Sequence, residues 1–264
     1  MVAAPSAQSP QVPSDPAPPA QTEQRAPQDV KPEDADKPPT PAHTGVRAIF
    51  IGLKDDITHL PSKQNVMTAA IGGGLALGTH PFDDELNARS LNQSDFVNTI
   101  FAPAKYYGNT PEQMGLSIGA WVLGRVLDKP KLSHLGMDLL RAQALTEMMI
   151  EPIKLVARRE RPDGSNHMSF PSGHAAITFA AAAVIERHLG WKNSIIAYGI
   201  ASYVATSRLH DNQHYLSDVV FGAAVGSIAG RTVTLHGRDT WTLGPMAVPG
   251  GMMVGASKNF HSEN

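Results

Sequence analysis

Three short clusters of charged and hydroxyl-bearing residues hold the side chains of this sequence that are best suited to chemistry. One is Ser207-Arg208, followed by His214 and Asp218. His214 and Asp218 are four residues apart, so on a helix the carboxylate lies one turn beyond the imidazole and can accept its Nδ1 proton. That pairing would make the other ring nitrogen of His214 a nucleophile. Arg208 would offer a planar fork of donors to an oxyanion.

A second cluster, Pro171-Ser172-Gly173-His174, precedes an alanine-rich segment. Ser172 is a favourable helix N-cap, and the free amides and positive dipole of a helix N-terminus attract anions. Gly173 would let an anion approach the backbone closely, and His174 could hold or donate a proton near neutral pH. The alternative is an ordinary capped helix with a surface histidine.

The remaining cluster is Lys154 and Arg161, followed at once by Pro162. Seven residues advance a helix by nearly two turns, so we expect both cations on one face at the end of a helix that Pro162 stops. Together they could bind one anion. The alternative is a solvated basic face, because Arg158 and Arg159 lie between them.

A metal site is a competing interpretation of the cluster around His214. His210, His214 and Asp218 stand at i, i+4 and i+8, which would place three potential ligands on one helix face. A metal site would leave the cations at positions 154, 161 and 208 without a role. We therefore expect no metal ligands among the catalytic residues.

The clusters lie within a series of segments rich in Ala, Gly, Val and Leu. We expect helices over residues 64–79, 111–127, 132–157, 172–189, 193–208 and 213–232. The predicted fold is an all-α bundle of about six or more helices. Polar residues interrupt the apolar stretches after roughly a dozen positions, which favours helices buried in a soluble bundle over lipid-facing ones. Glycine- and alanine-rich helices also pack inside membranes, so membrane association stays open.

Both ends of the chain differ in composition from this bundle. Eleven of the 21 prolines fall within residues 1–41, so residues 1–44 are predicted to be a disordered arm. The domain itself is expected over residues 45–232. Residues 233–264 are expected to form a short hairpin or an irregular tail.

Composition excludes several classes of protein. The net charge of −2 gives no basic field for binding nucleic acid, and the absence of cysteine excludes disulfides and thiolate sites. The N-terminus shows no basic and apolar segments of a secretory signal. The Pro-rich arm nevertheless suggests a tether in a cell envelope, either periplasmic or membrane-associated. Oligomeric state is left open.

Taken together, the three clusters resemble the three-part signature of the type 2 phosphatidic acid phosphatase and vanadium haloperoxidase superfamily. The match consists of Lys154 with Arg161-Pro162, then Pro171-Ser172-Gly173-His174, then Ser207-Arg208 with His214 and Asp218, in order and in spacing. It covers roughly residues 110–232. The arm and the tail lie outside it.

The resemblance implies a metal-independent phosphatase, of the histidine acid-phosphatase type, that hydrolyses a phosphomonoester, either a lipid phosphate such as phosphatidic acid or a small soluble ester. His214 would form a phosphohistidine, Asp218 would orient it, and His174 would protonate the leaving group. The phosphate oxygens would be held by Lys154, Arg161, Arg208 and the amides of Ser172 and Gly173. No cofactor is implied, although vanadate would inhibit. The alternatives are a vanadate-dependent haloperoxidase and a non-catalytic binder of phosphate or lipid phosphate.

Overall fold

The computed structural model describes residues 37–90, 95–235, 241–248 and 251–258. Its helices are α1 (Val46–His59), α2 (Lys63–Thr79), α3 (Asp83–Ser90), α4 (Asp95–Tyr107), α5 (Thr110–Val126), α6 (Pro130–Ala157), α7 (Gly173–Leu189), α8 (Trp191–His210) and α9 (Leu216–Thr234). A 3-10 turn at His80–Phe82 joins α2 to α3. Two antiparallel strands follow, β1 (Trp241–Val248) and β2 (Gly251–Lys258), with Trp241 paired to Lys258. The predicted all-helical bundle is confirmed.

Each of the six predicted helical segments corresponds to a helix of the structure, α2 or one of α5 to α9. Helices α1, α3 and α4 were not predicted. Residues 1–36 of the predicted arm lie outside the described residues, and residues 37–45 contain neither helix nor strand. The strands β1 and β2 form a hairpin, one of the two alternatives expected for the tail. The division into arm, domain and tail stays a prediction.

Backbone contact between α7 and α9 sets the geometry of the bundle. Three glycines spaced four residues apart line one side of α9, and a Cβ on Gly226 would lie 1.9 Å from the carbonyl oxygen of Ala176. A Cβ on Gly222 would likewise lie 2.5 Å from the carbonyl oxygen of Ser172. Because successive glycines meet successive turns of α7, the two helices run in the same direction and their N-termini lie together.

Much of the outer surface of the bundle is apolar. Large hydrophobic side chains are exposed on α2 (Val66, Met67, Ile71, Leu75, Leu77), α5 (Leu116, Val122, Leu123, Val126) and α8 (Trp191, Ile195, Ile196). In the part of the chain that the structure describes, α9 alone is long and apolar enough to cross a membrane, by length and composition, and most of it is buried. Exposed large apolar side chains in this number are typical of contact with lipid or another protein. The sequence pattern favoured helices buried in a soluble bundle, and that interpretation does not explain these exposed apolar side chains.

Candidate active site

The N-terminus of α7 is anchored directly to α9. Ser172 is the N-cap in extended conformation, and its Oγ accepts a hydrogen bond from the Ala175 amide at 3.5 Å, which confirms the predicted cap. The Ser172 amide donates to the carbonyl oxygen of Asp218 at 3.0 Å. That amide is therefore occupied, and Ser172 can offer an anion its hydroxyl but not its backbone N–H.

Lys154 and Arg161 do not share a helix, so that prediction was wrong. Helix α6 ends at Ala157, and Arg158 follows in the left-handed conformation with φ of 44°. Pro162 disfavours helical geometry at the residue before it, which leaves Arg161 in the loop that leads to α7. Lys154 remains on α6, and its Nζ lies 3.3 Å from the position of a Cβ on Gly173. Lys154 therefore reaches the N-terminus of α7 from the side.

Arg161 approaches the same region from its loop. Its Nη1 donates to the side chain of Gln213, the residue before His214. Its Nε is buried and has no hydrogen-bond partner among the described residues. A buried guanidinium donor without a partner is well placed to bind an oxyanion.

Arg208 stabilises the loop that carries His214. Its guanidinium donates to Ser207 Oγ at 3.0 Å and to Asp211 Oδ2 at 2.7 Å. Its carbonyl oxygen accepts from the amides of Gln213 at 3.0 Å and His214 at 3.3 Å. The third predicted cation thus lies at the base of the turn between α8 and α9.

His214 precedes α9 and is not on the helix with Asp218, contrary to the prediction. Its Nδ1 lies 2.7 Å from the carbonyl oxygen of Ser169 and 3.8 Å from Asp218 Oδ2. A carbonyl oxygen can only accept, so Nδ1 carries the proton and Nε2 keeps its lone pair. The loop before α9 lets the imidazole turn towards the Ser169 backbone, and the orienting partner is therefore a backbone group.

Asp218 instead joins the segments that surround His214. It is fully buried at the third position of α9 and accepts from the Tyr215 amide at 2.9 Å, which closes a capping box. It also accepts from Arg159 Nη1 at 2.6 Å and from Ser169 Oγ at 2.5 Å. Through Ser169, Asp218 fixes the carbonyl that holds His214.

Arg159 is a central residue of the candidate site, although the sequence pattern offered for it only the alternative of a solvated basic face. Its guanidinium bonds Asp218, Ser217 Oγ at 2.7 Å and Asp83 Oδ2 at 2.9 Å, and it lies 4.0 Å from the centre of the Tyr215 ring. Burial acts to lower the pKa of Arg159, but Asp83 and Asp218 outweigh it and raise that pKa. Asp83 begins α3, a helix that was not predicted, so no sequence signal linked the two residues.

The pKa of His214 is lowered from its ordinary value near 6.5, chiefly because burial removes water from the imidazolium. The nearby Arg161 charge lowers that pKa further, whereas Asp218 and the Ser169 carbonyl oppose the shift. The imidazole of His214 therefore stays neutral into the acidic range. A neutral ring is the form that can act as a nucleophile.

His174 is the second residue of α7. Its Nε2 is buried without a hydrogen-bond partner among the described residues. Gly108, after α4, packs closely against the ring, because a Cβ there would lie 2.7 Å from His174 Cδ2. Because His174 Nε2 is buried and has no protein partner among the described residues, it can exchange a proton with a bound substrate.

The metal site considered at His210, His214 and Asp218 is not assembled. His210 Nε2 bonds Asn98 Oδ1 at 2.8 Å, and its ring lies 4.9 Å from that of Phe101. His214 faces Ser169 instead. The two histidines therefore have different surroundings.

The structure thus places a buried neutral imidazole, three cations, a helix N-terminus and a second histidine around the adjoining ends of α6 to α9. A set of this composition can bind a tetrahedral oxyanion and attack it with a nitrogen nucleophile.

Known proteins resemble part of this chain. Residues 135–241 match the family model of the PAP2 superfamily. Lipid A 1-phosphatase of Porphyromonas gingivalis is 40% identical over 90 residues, which cover 33% of this chain and 20% of that protein. Decaprenylphosphoryl-5-phosphoribose phosphatase of Mycobacterium tuberculosis is 36% identical over 90 residues, 31% of this chain and 49% of that protein. The chain therefore spans less than half the length of either relative.

A solved structure shares the fold. The transmembrane PAP2-type phosphatidylglycerolphosphate phosphatase of Bacillus subtilis superposes with a TM-score of 0.54, covers 64% of this chain and 93% of its own, and is 22% identical. The family match contains Lys154, Arg161, His174, His214 and Asp218. Over residues 135–241, the chain is similar to the PAP2 superfamily.

Proposed function

We propose that this protein hydrolyses a lipid phosphomonoester through a phosphohistidine formed on His214. The observation that carries the proposal is the state of that side chain. Its Nδ1 proton is engaged by the Ser169 carbonyl, burial keeps the ring neutral, and Arg161 lies close by. A neutral imidazole whose Nε2 keeps its lone pair, placed beside cations, is suited to attack a bound phosphate. Binding a phosphate without turnover would not need such a nucleophile.

In the first step, His214 Nε2 donates its lone pair to phosphorus, and the bond between phosphorus and the alcohol oxygen breaks. In the free protein, burial and the Arg208 charge lower the pKa of His174 to about 3, so the ring takes up its proton only when the bound phosphate anion offsets them. The protonated His174 then gives that proton to the departing alkoxide, and a neutral alcohol leaves. In the second step, His174 takes a proton from water as the water oxygen attacks phosphorus. The P–N bond breaks, inorganic phosphate is released, and both histidines return to their starting states.

The charge that develops on the phosphate oxygens is met by Lys154, Arg161 and Arg208, together with the Gly173 amide and the Ser172 hydroxyl. Preorganised donors of this kind stabilise the transition state without a metal ion. The role first expected of the Ser172 amide passes to its hydroxyl, because the amide is bonded to Asp218. Asp218 and Arg159 act as positioning residues.

Two observations support a lipid as the substrate. The similar proteins carry the names of phosphatases of lipid A and of a decaprenyl lipid. The exposed apolar side chains of α2, α5 and α8 would hold the protein at a membrane, where such substrates lie. A place in the cell envelope, periplasmic or membrane-associated, follows from this substrate class.

The test compares His214→Ala with His80→Ala, a matched control because His80 is exposed and outside the site. Phosphate release is measured with p-nitrophenyl phosphate and with phosphatidic acid in detergent micelles, without added metal. We expect His214→Ala to fall to background on both and His80→Ala to keep the wild-type rate. Wild-type rates in His214→Ala would contradict the mechanism.

Two further results would favour the alternatives. Bromide oxidation by the vanadate-loaded protein without phosphatase activity would indicate a haloperoxidase. Phosphate binding without turnover, on both substrates and over a broad pH range, would indicate a non-catalytic binder.

A further inference from the structure

A second cluster of ionisable side chains lies at the other end of α7 from Ser172. His134 and Asp138 lie one turn apart on α6, and His188 lies in the last turn of α7. His134 and Asp138 are buried, with 5% and 0% of their surface exposed. The phosphatase mechanism uses none of these residues.

The three side chains converge on one point. Asp138 Oδ2 lies 3.1 Å from His134 Nε2 and 2.9 Å from His188 Nε2. One coordinating atom from each residue lies within 4.8 Å of the other two. Tetrahedral zinc with bonds of about 2.0 Å places neighbouring ligand atoms about 3.3 Å apart, so small side-chain movements would suffice to form such a site.

The carboxylate of Asp138 is oriented by Arg141, which contacts the oxygen that does not face the two histidines. Arg141 Nη2 donates to Asp138 Oδ1 at 2.6 Å, and Arg141 Nη1 lies 3.5 Å from Asp56 Oδ2 on α1. Gly52 makes room for this guanidinium, because a Cβ there would lie 1.9 Å from Arg141 Nη1. Arg141 thus engages one oxygen of Asp138 and leaves the other for the imidazoles. Outer contacts of this kind orient metal ligands.

The cluster also borders a cavity. A cavity of about 590 Å³ is lined by His134, Asp138 and Arg141, by Val233 and Thr234 at the end of α9, and by the segment before α1. It is large enough for water to reach the carboxylate. A fourth coordination position would therefore be filled from the cavity side.

We propose that His134, Asp138 and His188 bind one zinc ion that fastens α6 to α7, with a cavity water as fourth ligand. Two imidazoles and one carboxylate form a donor set that suits zinc, and two of the three donors come from successive turns of one helix. The ion stabilises this end of the bundle and takes no part in phosphate release.

Binding requires small side-chain movements and a tautomer exchange at each histidine. In the hydrogen-bonded arrangement, each Nε2 carries the proton that it donates to Asp138 Oδ2. When zinc binds, each proton moves to Nδ1 and the Nε2 lone pair coordinates the ion. Asp138 supplies one negative charge to the ion.

The test measures metal content of the full chain. The protein is loaded with zinc, passed through a desalting column, and analysed by mass spectrometry for metal per chain. We expect about one zinc in the wild type, a loss of at least tenfold in occupancy for His134→Gln and His188→Gln, and wild-type content for His80→Gln. Equal zinc in all four proteins, or none in the wild type, would overturn the proposal.

A measurement on the wild type alone removes the risk that the variants misfold. X-ray absorption at the zinc edge should show two imidazole nitrogens and oxygen ligands at about 2.0 Å. A shell of oxygen ligands without imidazole would show adventitious binding and refute the site. Zinc should also raise the Tm of the wild type and leave that of His188→Gln unchanged, whereas equal shifts would contradict the inference.

Discussion

At the scale of single residues, His214 is oriented by the protein backbone. The Ser169 carbonyl fixes its tautomer, while Asp218 lies 3.8 Å from the same nitrogen and bonds the residues around it. A carbonyl carries no charge, so it orients the ring without strongly favouring the imidazolium. Burial, with the Arg161 charge, outweighs the opposing effect of Asp218 and lowers the pKa of His214.

This environment predicts a specific pH dependence. Because the pKa of His214 is lowered and its neutral form attacks, the acidic limb of kcat/KM should lie below pH 6.5. Arg161→Gln removes a cation that lowers this pKa, so the limb should move to higher pH as activity falls. The pH profiles of kcat/KM for the wild type and Arg161→Gln, both measured with p-nitrophenyl phosphate, test this prediction. The ionisation of the substrate affects the two profiles equally, so a difference between them comes from the protein.

The matched control for that experiment is Arg158→Gln, which alters an exposed arginine of the same loop. Its limb should coincide with that of the wild type. A limb that moves to lower pH in Arg161→Gln would contradict the assigned electrostatics.

Arg159 gives a prediction about stability. Arg159→Ala leaves the buried Asp83 and Asp218 without their shared cation, and removing one partner of a buried pair costs about 3 kcal/mol. Arg158→Ala should change the free energy of unfolding by less than about 0.5 kcal/mol. Chemical unfolding of both variants measures the difference, and equal stabilities would show that the network contributes little.

At the scale of elements, the close contact of α7 and α9 brings the loops of the candidate site together. The glycines of α9 allow its N-terminus to contact Ser172, and the loops before α7 and α9 then face each other. Helix contact and site geometry therefore depend on the same three positions.

Gly226→Ala should disrupt this contact. The added methyl group would collide with the Ala176 carbonyl, and overpacking of this kind costs about 1 to 3 kcal/mol. Gly199→Ala on exposed α8 meets nothing within 4 Å and should stabilise the protein by about 0.5 to 1 kcal/mol through helix propensity. Thermal unfolding distinguishes the two, and a neutral Gly226→Ala would refute the close packing.

Local sequence patterns predicted helices of this structure but not the paths of its loops. Apolar composition and the proline and glycine boundaries predicted the six helices that carry or flank the site, because these signals are local. The paths of the loops were not predictable: Arg161 and His214 were both expected on helices. Arg161 is held by Gln213, and His214 is held by Ser169. Each partner lies far from the residue that it holds in the sequence.

The same limit explains why Arg159 was missed. Beside Arg158 it reads as part of a charged surface, and its partner Asp83 is distant in sequence on a short helix with weak apolar periodicity. The Lys154, His174 and Arg208 positions were predictable because a family signature preserves their order. Their roles as substrate ligands stay predictions.

At the scale of the whole molecule, the exposed apolar side chains predict membrane association. The full chain should remain in the membrane pellet after alkaline carbonate extraction. Ile195→Lys with Ile196→Lys places charges on an exposed apolar face of α8 and should reduce the retained fraction severalfold. Recovery of the unaltered protein in the soluble fraction would contradict the proposed location.

Helix α9 has the candidate active site at one end and the proposed zinc site near the other. The helix begins beside His214 and ends at Thr234, and the carbonyl oxygen of Val233 in its last turn accepts from Arg141 Nη2 at 3.4 Å. Its 19 residues span about 28 Å, close to the hydrocarbon thickness of a bilayer, about 30 Å. In a membrane crossed by α9, phosphate would be released on one side and zinc would be taken up from the other, so the metal supply of one compartment would set the stability of an enzyme that works in its neighbour.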